Sequence, residues 1–160
     1  AESDSERQFW VSLMAITGSP IAIADQYDTI GENAHFYQNE EILALNKAGF
    51  SARPLSMNCG QSRSSIWIGQ LPDGDWVAGM FNREDSEQTM TVSFSKDLGF
   101  AKGTKAMVRD LWRRADLGEQ EDMYRVSLQP HSCVVVRIKN PVKRYQCEVA
   151  GTCGGAKIVM

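Results

Sequence analysis

The sequence predicts a mainly β protein: an antiparallel β-sandwich over residues 51–140, preceded at 1–50 by the last helix–strand–helix unit of a (β/α)8 barrel. Three observations carry this. After residue 60, short alternating apolar runs recur with turn signals at intervals of about 8–12 residues, as in antiparallel sandwiches and barrels. Before residue 50 the apolar spacing is helical, and the short run 21–24 is apolar on both faces, as a buried parallel strand is. A whole barrel needs roughly 250 residues, so the 160 residues hold no more than a part of one.

The elements follow in order. Residues 5–17 read as a helix: Ser3, Asp4 and Ser5 are capping types, Glu6 suits the first turn, and Gly18 ends it. Phe9, Trp10, Leu13, Met14 and Ile16 make a wide apolar face that expects broad cover. Pro20 opens the strand 21–24, whose small Ala22 and Ala24 suit close packing, and Asp25 to Asn33 is loop. A second helix spans about 39–47, capped by Asn39, stopped by Gly49, with Ile42, Leu43 and Leu45 inward. Strands are expected at 65–71 and 76–82, joined by the turn Pro72-Asp73-Gly74-Asp75; Asp-Gly between apolar runs is a strong hairpin signal. Further strands are expected at 89–95, 104–112, 124–129 and 132–139, the last with Val134, Val136 and Ile138 inward. Asn140-Pro141 breaks the sandwich, and residues 141–160 read as a linker with the first strand of a further module.

Composition narrows the function classes. Hydrophobic residues make up 42% and charged residues 23%, with a formal net charge of -3. That is a globular balance without the basic stripe of a nucleic-acid binder, and no run approaches the ~20 apolar residues of a membrane span. The start of the chain lacks the basic and apolar segments of a secretion signal. The four cysteines, Cys59, Cys133, Cys147 and Cys153, admit three disulfide pairings or free thiols. They form no CxxC pair, and His35 and His131 lie far from them, so no metal site and no cofactor is expected.

Several stretches together carry a resemblance. They are the run from Phe9 through Gly18-Ser19-Pro20 to Ile23-Ala24-Asp25; the helix ending Ala44-Leu45-Asn46; Trp67 with Gly69 and Leu71, then Asp-Gly, then Trp76 to Phe81-Asn82-Arg83; and Gln129-Pro130-His131 leading into the final strand. The most specific is Arg109-Asp110-Leu111-Trp112 ahead of a Leu117-Gly118 turn. In this order, over about residues 6–139, the sequence resembles the C-terminal part of glycoside hydrolase family 27, the α-galactosidases and α-N-acetylgalactosaminidases. Tyr145-Gln146-Cys147-Glu148 with Gly154-Gly155 is similar to the opening of carbohydrate-binding modules of families 6 and 35.

The resemblance implies a secreted, extracellular parent enzyme that cleaves terminal α-linked sugars with retention through a glycosyl–aspartate intermediate. Its two catalytic aspartates lie on earlier barrel strands, so none is assigned in this chain. The implied partners are a carbohydrate substrate and the rest of the barrel, with neither nucleic acid nor membrane. Chemistry in such barrels sits beyond the strand ends. That makes Asp25 a candidate substrate-binding residue, with Tyr27 and Asp28 on the same rim; the loop reads Asp25-Gln26-Tyr27-Asp28 where the family has Asn-Asp-Leu-Arg.

The other acidic residues have structural readings: Glu40 and Glu41 at a helix start, Asp73 and Asp75 in a turn, Glu84, Asp85 and Glu87 in one polar loop, Glu119, Glu121 and Asp122 in another. Trp67, Trp76 and Trp112 are either sugar platforms or packing residues. The alternative function is a non-catalytic carbohydrate-binding or structural sandwich module.

Overall fold

The computed structural model describes residues 3–23 and 30–141. Eight strands and three α-helices follow one another as α1 (Asp4–Thr17), α2 (Glu40–Lys47), β1 (Arg53–Pro54), β2 (Ile66–Gln70), β3 (Trp76–Phe81), β4 (Gln88–Ser93), α3 (Phe94–Leu98), β5 (Lys105–Asp110), β6 (Ala115–Glu121), β7 (Met123–Leu128) and β8 (Cys133–Ile138). Short 3-10 helices lie at Gly31–Tyr37 and Ser62–Ser65. All strand pairs are antiparallel. Six strands form one sheet in the order β1-β2-β3-β8-β5-β6, and β4 pairs with β7 in a second.

Three layers result, with the large sheet in the middle. On one side Ile68, Met80, Val108, Val136 and Ile138 meet Met90, Val92, Phe94, Phe100 and Tyr124 from the small sheet, α3 and the segment after it. On the other, Val77, Phe81, Leu111 and Val135 meet Val11, Ala15 and Ile16 of α1 and Ile42 and Leu45 of α2. This explains two sequence patterns at once. β4 faces solvent on one side, and only its Met90 and Val92 are buried. β3 and β8 are covered on both faces, so Val77 through Phe81 and Cys133 through Val136 are buried without alternation. Gly79 marks how close the helix layer comes: a Cβ there would sit 2.6 Å from Ile16 Cδ1.

Both helices start where their caps predict. Ser3 accepts from the Glu6 amide while Glu6 Oε2 accepts from the Ser3 amide at 2.8 Å, a reciprocal capping box. That amide donation holds the Glu6 carboxyl below its ordinary pKa. Asn39 Oδ1 accepts from the Glu41 and Ile42 amides, and Gly18 closes α1.

Four expectations change. Residues 21–23 belong to no strand; a strand needs a ladder partner, and none flanks them among the described residues, while Ala24 lies outside those residues. Phe94–Leu98 is a helix, not the end of a strand, because Ser93 caps the Lys96 amide and Asp97 Oδ2 accepts from Ser93 N–H. Ala115–Glu121, read as turn and polar loop, is edge strand β6; its charged, β-poor composition is what exposed edges carry. Within it Leu117-Gly118 is a bulge, not a turn. Val108 pairs with Gly118 and Arg109 with Asp116, leaving Leu117 as the extra residue, and Gly118 supplies a φ of 83°. Asp122, the single residue between β6 and β7, carries the chain from one sheet to the other.

Candidate functional site

The rim residues Asp25, Tyr27 and Asp28 lie outside the described residues, as do Cys147, Cys153 and the stretch from 142 onward. What the described residues bring together is the junction between the helices and the sandwich, and the motif Arg109-Asp110-Leu111-Trp112 is its centre.

Each residue of the motif has one task there. Arg109 points from β5 to α2, where its Nε and Nη2 fork onto the two Glu41 oxygens at 3.0 and 2.7 Å. Its Nη1 reaches Asp116 at 3.1 Å and Nη2 also donates to the Arg114 carbonyl oxygen. The Glu41 carboxylate, then Asp116, raises the guanidinium pKa above its ordinary value. Asp110 is buried, and its Oδ1 accepts from the amides of Trp112 and Arg113, both at 3.0 Å, fixing the turn after β5. Leu111 enters the helix-side core and donates its amide to the Val135 carbonyl oxygen. The Trp112 indole N–H donates to Ser12 Oγ on α1 at 2.7 Å, and its ring meets Phe36 edge-on.

The helices answer with polar groups set into apolar faces. Asn39 is only 4% exposed. Besides capping α2 it donates through Nδ2 to the carbonyl oxygens of Leu111 at 3.0 Å and Trp112 at 3.3 Å. Ser12 is fully buried and donates to the Gln8 carbonyl oxygen. The Cys133 thiol, 3.4 Å from Ser12 Oγ, is therefore the donor in that contact. Burial pushes its pKa up to about 12. Cys59, by contrast, is exposed.

A second anchor ties the β2–β3 turn to β8. Arg137 Nε donates to Asp75 Oδ2 at 3.0 Å, and Nη2 pairs with Asp73. Asp75 Oδ1 accepts from the Asn140 amide. Asp75 is thus a buried ion-pair partner as well as a turn residue. Asn82, also fully buried, donates through Nδ2 to the carbonyl oxygens of Ser86, Leu128 and Gln129 and closes the opposite end of the sandwich.

Chemically these groups hold rather than react. Glu41, Asp73, Asp75 and Asp116 face arginines, Asp97 pairs with Arg63, and Asp85 with His131. Among the described residues no cluster of metal-ligating side chains occurs, and no helix is long and apolar enough to cross a membrane. The sequence reading found Asn39 as a cap and Glu41 as a first-turn residue but missed their second partners. Ser12 inside an apolar helical stripe was the available signal, since a buried hydroxyl needs a partner.

Comparison with known proteins agrees with the layered architecture. Residues 61–138 match the family model of the alpha-galactosidase C-terminal beta sandwich domain. Isomalto-dextranase of Arthrobacter globiformis is 42% identical over 166 aligned positions, covering 96% of this chain and 25% of that protein. An alpha-galactosidase of Cyamopsis tetragonoloba is 25% identical over 125 positions, covering 76% and 29%. The chain therefore spans about a quarter of the length of these relatives. The solved A. globiformis isomalto-dextranase, complexed with panose, superposes with a TM-score of 0.78 over 88% of this chain and 24% of its own. A GH27 β-L-arabinopyranosidase of Geobacillus stearothermophilus follows at 0.75 and 26% identity, over 88% of this chain and 31% of its own. These relatives are glycoside hydrolases. Residues 61–138 are an alpha-galactosidase-type C-terminal β-sandwich domain, and the chain as a whole is similar to the C-terminal portions of family 27-like glycoside hydrolases.

Proposed function

We propose that the chain serves as the C-terminal portion of an extracellular retaining glycosidase acting on α-linked sugars, with the catalytic aspartates supplied from outside these residues. The observation that supports this most is the continuous likeness to isomalto-dextranase over 96% of the chain, which includes both helices and the junction as well as the sandwich. The same gradient favours an α-linked glucan over a galactoside, since identity falls from 42% to 25% between the two named activities. The junction's role is to hold α1 and α2 at a fixed angle to the sandwich. Asp25, Tyr27 and Asp28 would contact sugar hydroxyls at the rim of the barrel.

The test uses the 160 residues alone and the longer reading frame that contains them. The longer protein should release reducing sugar from dextran faster than it cleaves an aryl α-galactoside, and Asp25→Ala within it should raise KM. The 160-residue chain should be inactive on both. Hydrolysis by the isolated chain, persisting through purification, would overturn the assignment.

A further inference from the structure

A concave surface lies beyond the end of β5. Pairing of β5 with β8 stops at Asp110 opposite Val136, so Cys133 and Val134 extend past their neighbour. The turn after β5, β7 and the 3-10 helix Gly31–Tyr37 wall the gap into a cleft of about 570 Å³. That is within the usual range for a small-ligand site of roughly 300–1,000 Å³. Some of the side chains that line it are fixed by the junction, and others are not engaged there. Trp112 has its indole N–H fixed on Ser12 and its ring held by Phe36, so it is a rigid aromatic wall. Arg113 is 79% exposed, and its guanidinium lies 3.8 Å from Asp110 Oδ2, too far for a formed hydrogen bond. His35 Nδ1 lies 2.6 Å from the Glu32 carbonyl oxygen. A carbonyl can only accept, so Nδ1 donates there, and Nε2 of the neutral ring is left as an acceptor. Tyr124 contributes a phenol that feels Asp110 and Arg113 as its charged neighbours, and Leu117 adds apolar floor.

We propose that this cleft is a non-catalytic binding subsite for a neutral α-linked oligosaccharide. An aromatic wall covers the apolar face of a pyranose ring, while a guanidinium, a phenol, an imidazole acceptor and a carboxylate oxygen match the alternating donors and acceptors of vicinal hydroxyls. The choice of sugar class rests on the glycosidase reading; the cleft chemistry does not. The subsite would hold a glucan chain to the sandwich while another part of the chain is cleaved.

The experiment titrates the 160-residue chain with isomaltotriose and, separately, melibiose, following the Trp112 indole N–H resonance and the heat of binding. Saturable binding of isomaltotriose is expected, with Arg113→Ala and His35→Ala each weakening it about tenfold and leaving the far-UV circular dichroism unchanged. Tyr124→Phe keeps the ring and loses only the hydroxyl, so a smaller loss is expected. Trp10→Ala, on the far side of α1, should bind as the parent does. Absence of saturable binding overturns the proposal, as does binding that survives both Arg113→Ala and His35→Ala or is abolished by Trp10→Ala. Stronger binding of melibiose than of isomaltotriose would keep the subsite and overturn the glucan preference. In the longer protein, Arg113→Ala should slow dextran hydrolysis and spare a small aryl glycoside. A longer protein inactive on every glycoside, with binding retained here, would remove the enzymatic reading and leave the subsite standing.

Discussion

The two faces of the large sheet are buried by different means. The face toward the small sheet is packed mainly by apolar side chains, Ile68, Met80, Val92, Phe94, Val108 and Ile138 being at most 1% exposed, with the buried polar groups Asn82 and Asp110 at its margins. The face toward the helices combines apolar contact with the buried polar groups Ser12 and Asn39, both satisfied. An apolar interface tolerates small slips. A buried amide or carboxylate does not, because a misplaced one loses its hydrogen bonds in a dry setting. The polar contacts of the helix face therefore set a single orientation for α1 and α2.

Substitutions can break this contrast in order of size. Phe94→Ala empties the sandwich core and should cost about 3–5 kcal/mol, measured by urea unfolding, with all probes reporting one transition. Asn39→Ala removes a cap, worth about 1 kcal/mol, and strips two carbonyl oxygens of their donor at about 1–3 kcal/mol. Its loss should be concentrated in the helices. Arg109→Lys keeps the charge but loses the bidentate fork onto Glu41 and should lower the unfolding midpoint by less than Asn39→Ala does. Arg63→Ala breaks an ion pair whose arginine is 46% exposed and should stay within about 1 kcal/mol of the parent.

Alkaline pH gives an independent handle. Burial pushes Cys133 up to about 12 from an ordinary 9.0, and Tyr124 up to about 12 from 10.0. A raised pKa means the folded state keeps protons that the unfolded state releases. The associated stability is fully present below pH 9 and is lost as pH rises from 9 towards 12. Unfolding midpoints should fall across that window, and Cys133→Ser should flatten the fall. At pH 8, by contrast, a thiol reagent should modify Cys59 rapidly and Cys133 only on unfolding.

The same contrast explains what could be read without coordinates. Strands packed on the small sheet announce themselves by alternation, as Met90 and Val92 do in β4. Helix limits were legible because capping chemistry is local: Ser3 with Glu6, and Asn39 with the two amides after it. β6 was not legible, since an edge strand of Ala, Asp, Gly, Glu and Gln with Leu117 as its one large apolar residue has no apolar period to detect. The junction was legible only as a motif. Arg109-Asp110-Leu111-Trp112 stood out by resemblance, but its partners Glu41, Asn39 and Ser12 lie 68 to 100 residues away. No local rule connects residues so far apart. The rim triad Asp25, Tyr27 and Asp28 rests on resemblance and on its place after the run 21–24.

Native-state hydrogen exchange on Asn39→Ala tests the central claim, that the junction orients the helices while the sandwich stands on its own packing. Amides of α1 and α2 should exchange faster by about thirty- to seven-hundredfold, the range set by about 2–4 kcal/mol at a factor of ten per 1.4 kcal/mol. Amides of β4, β7 and β8 should keep the parent's rates. Equal acceleration in both regions, or none in the helices, would contradict the account.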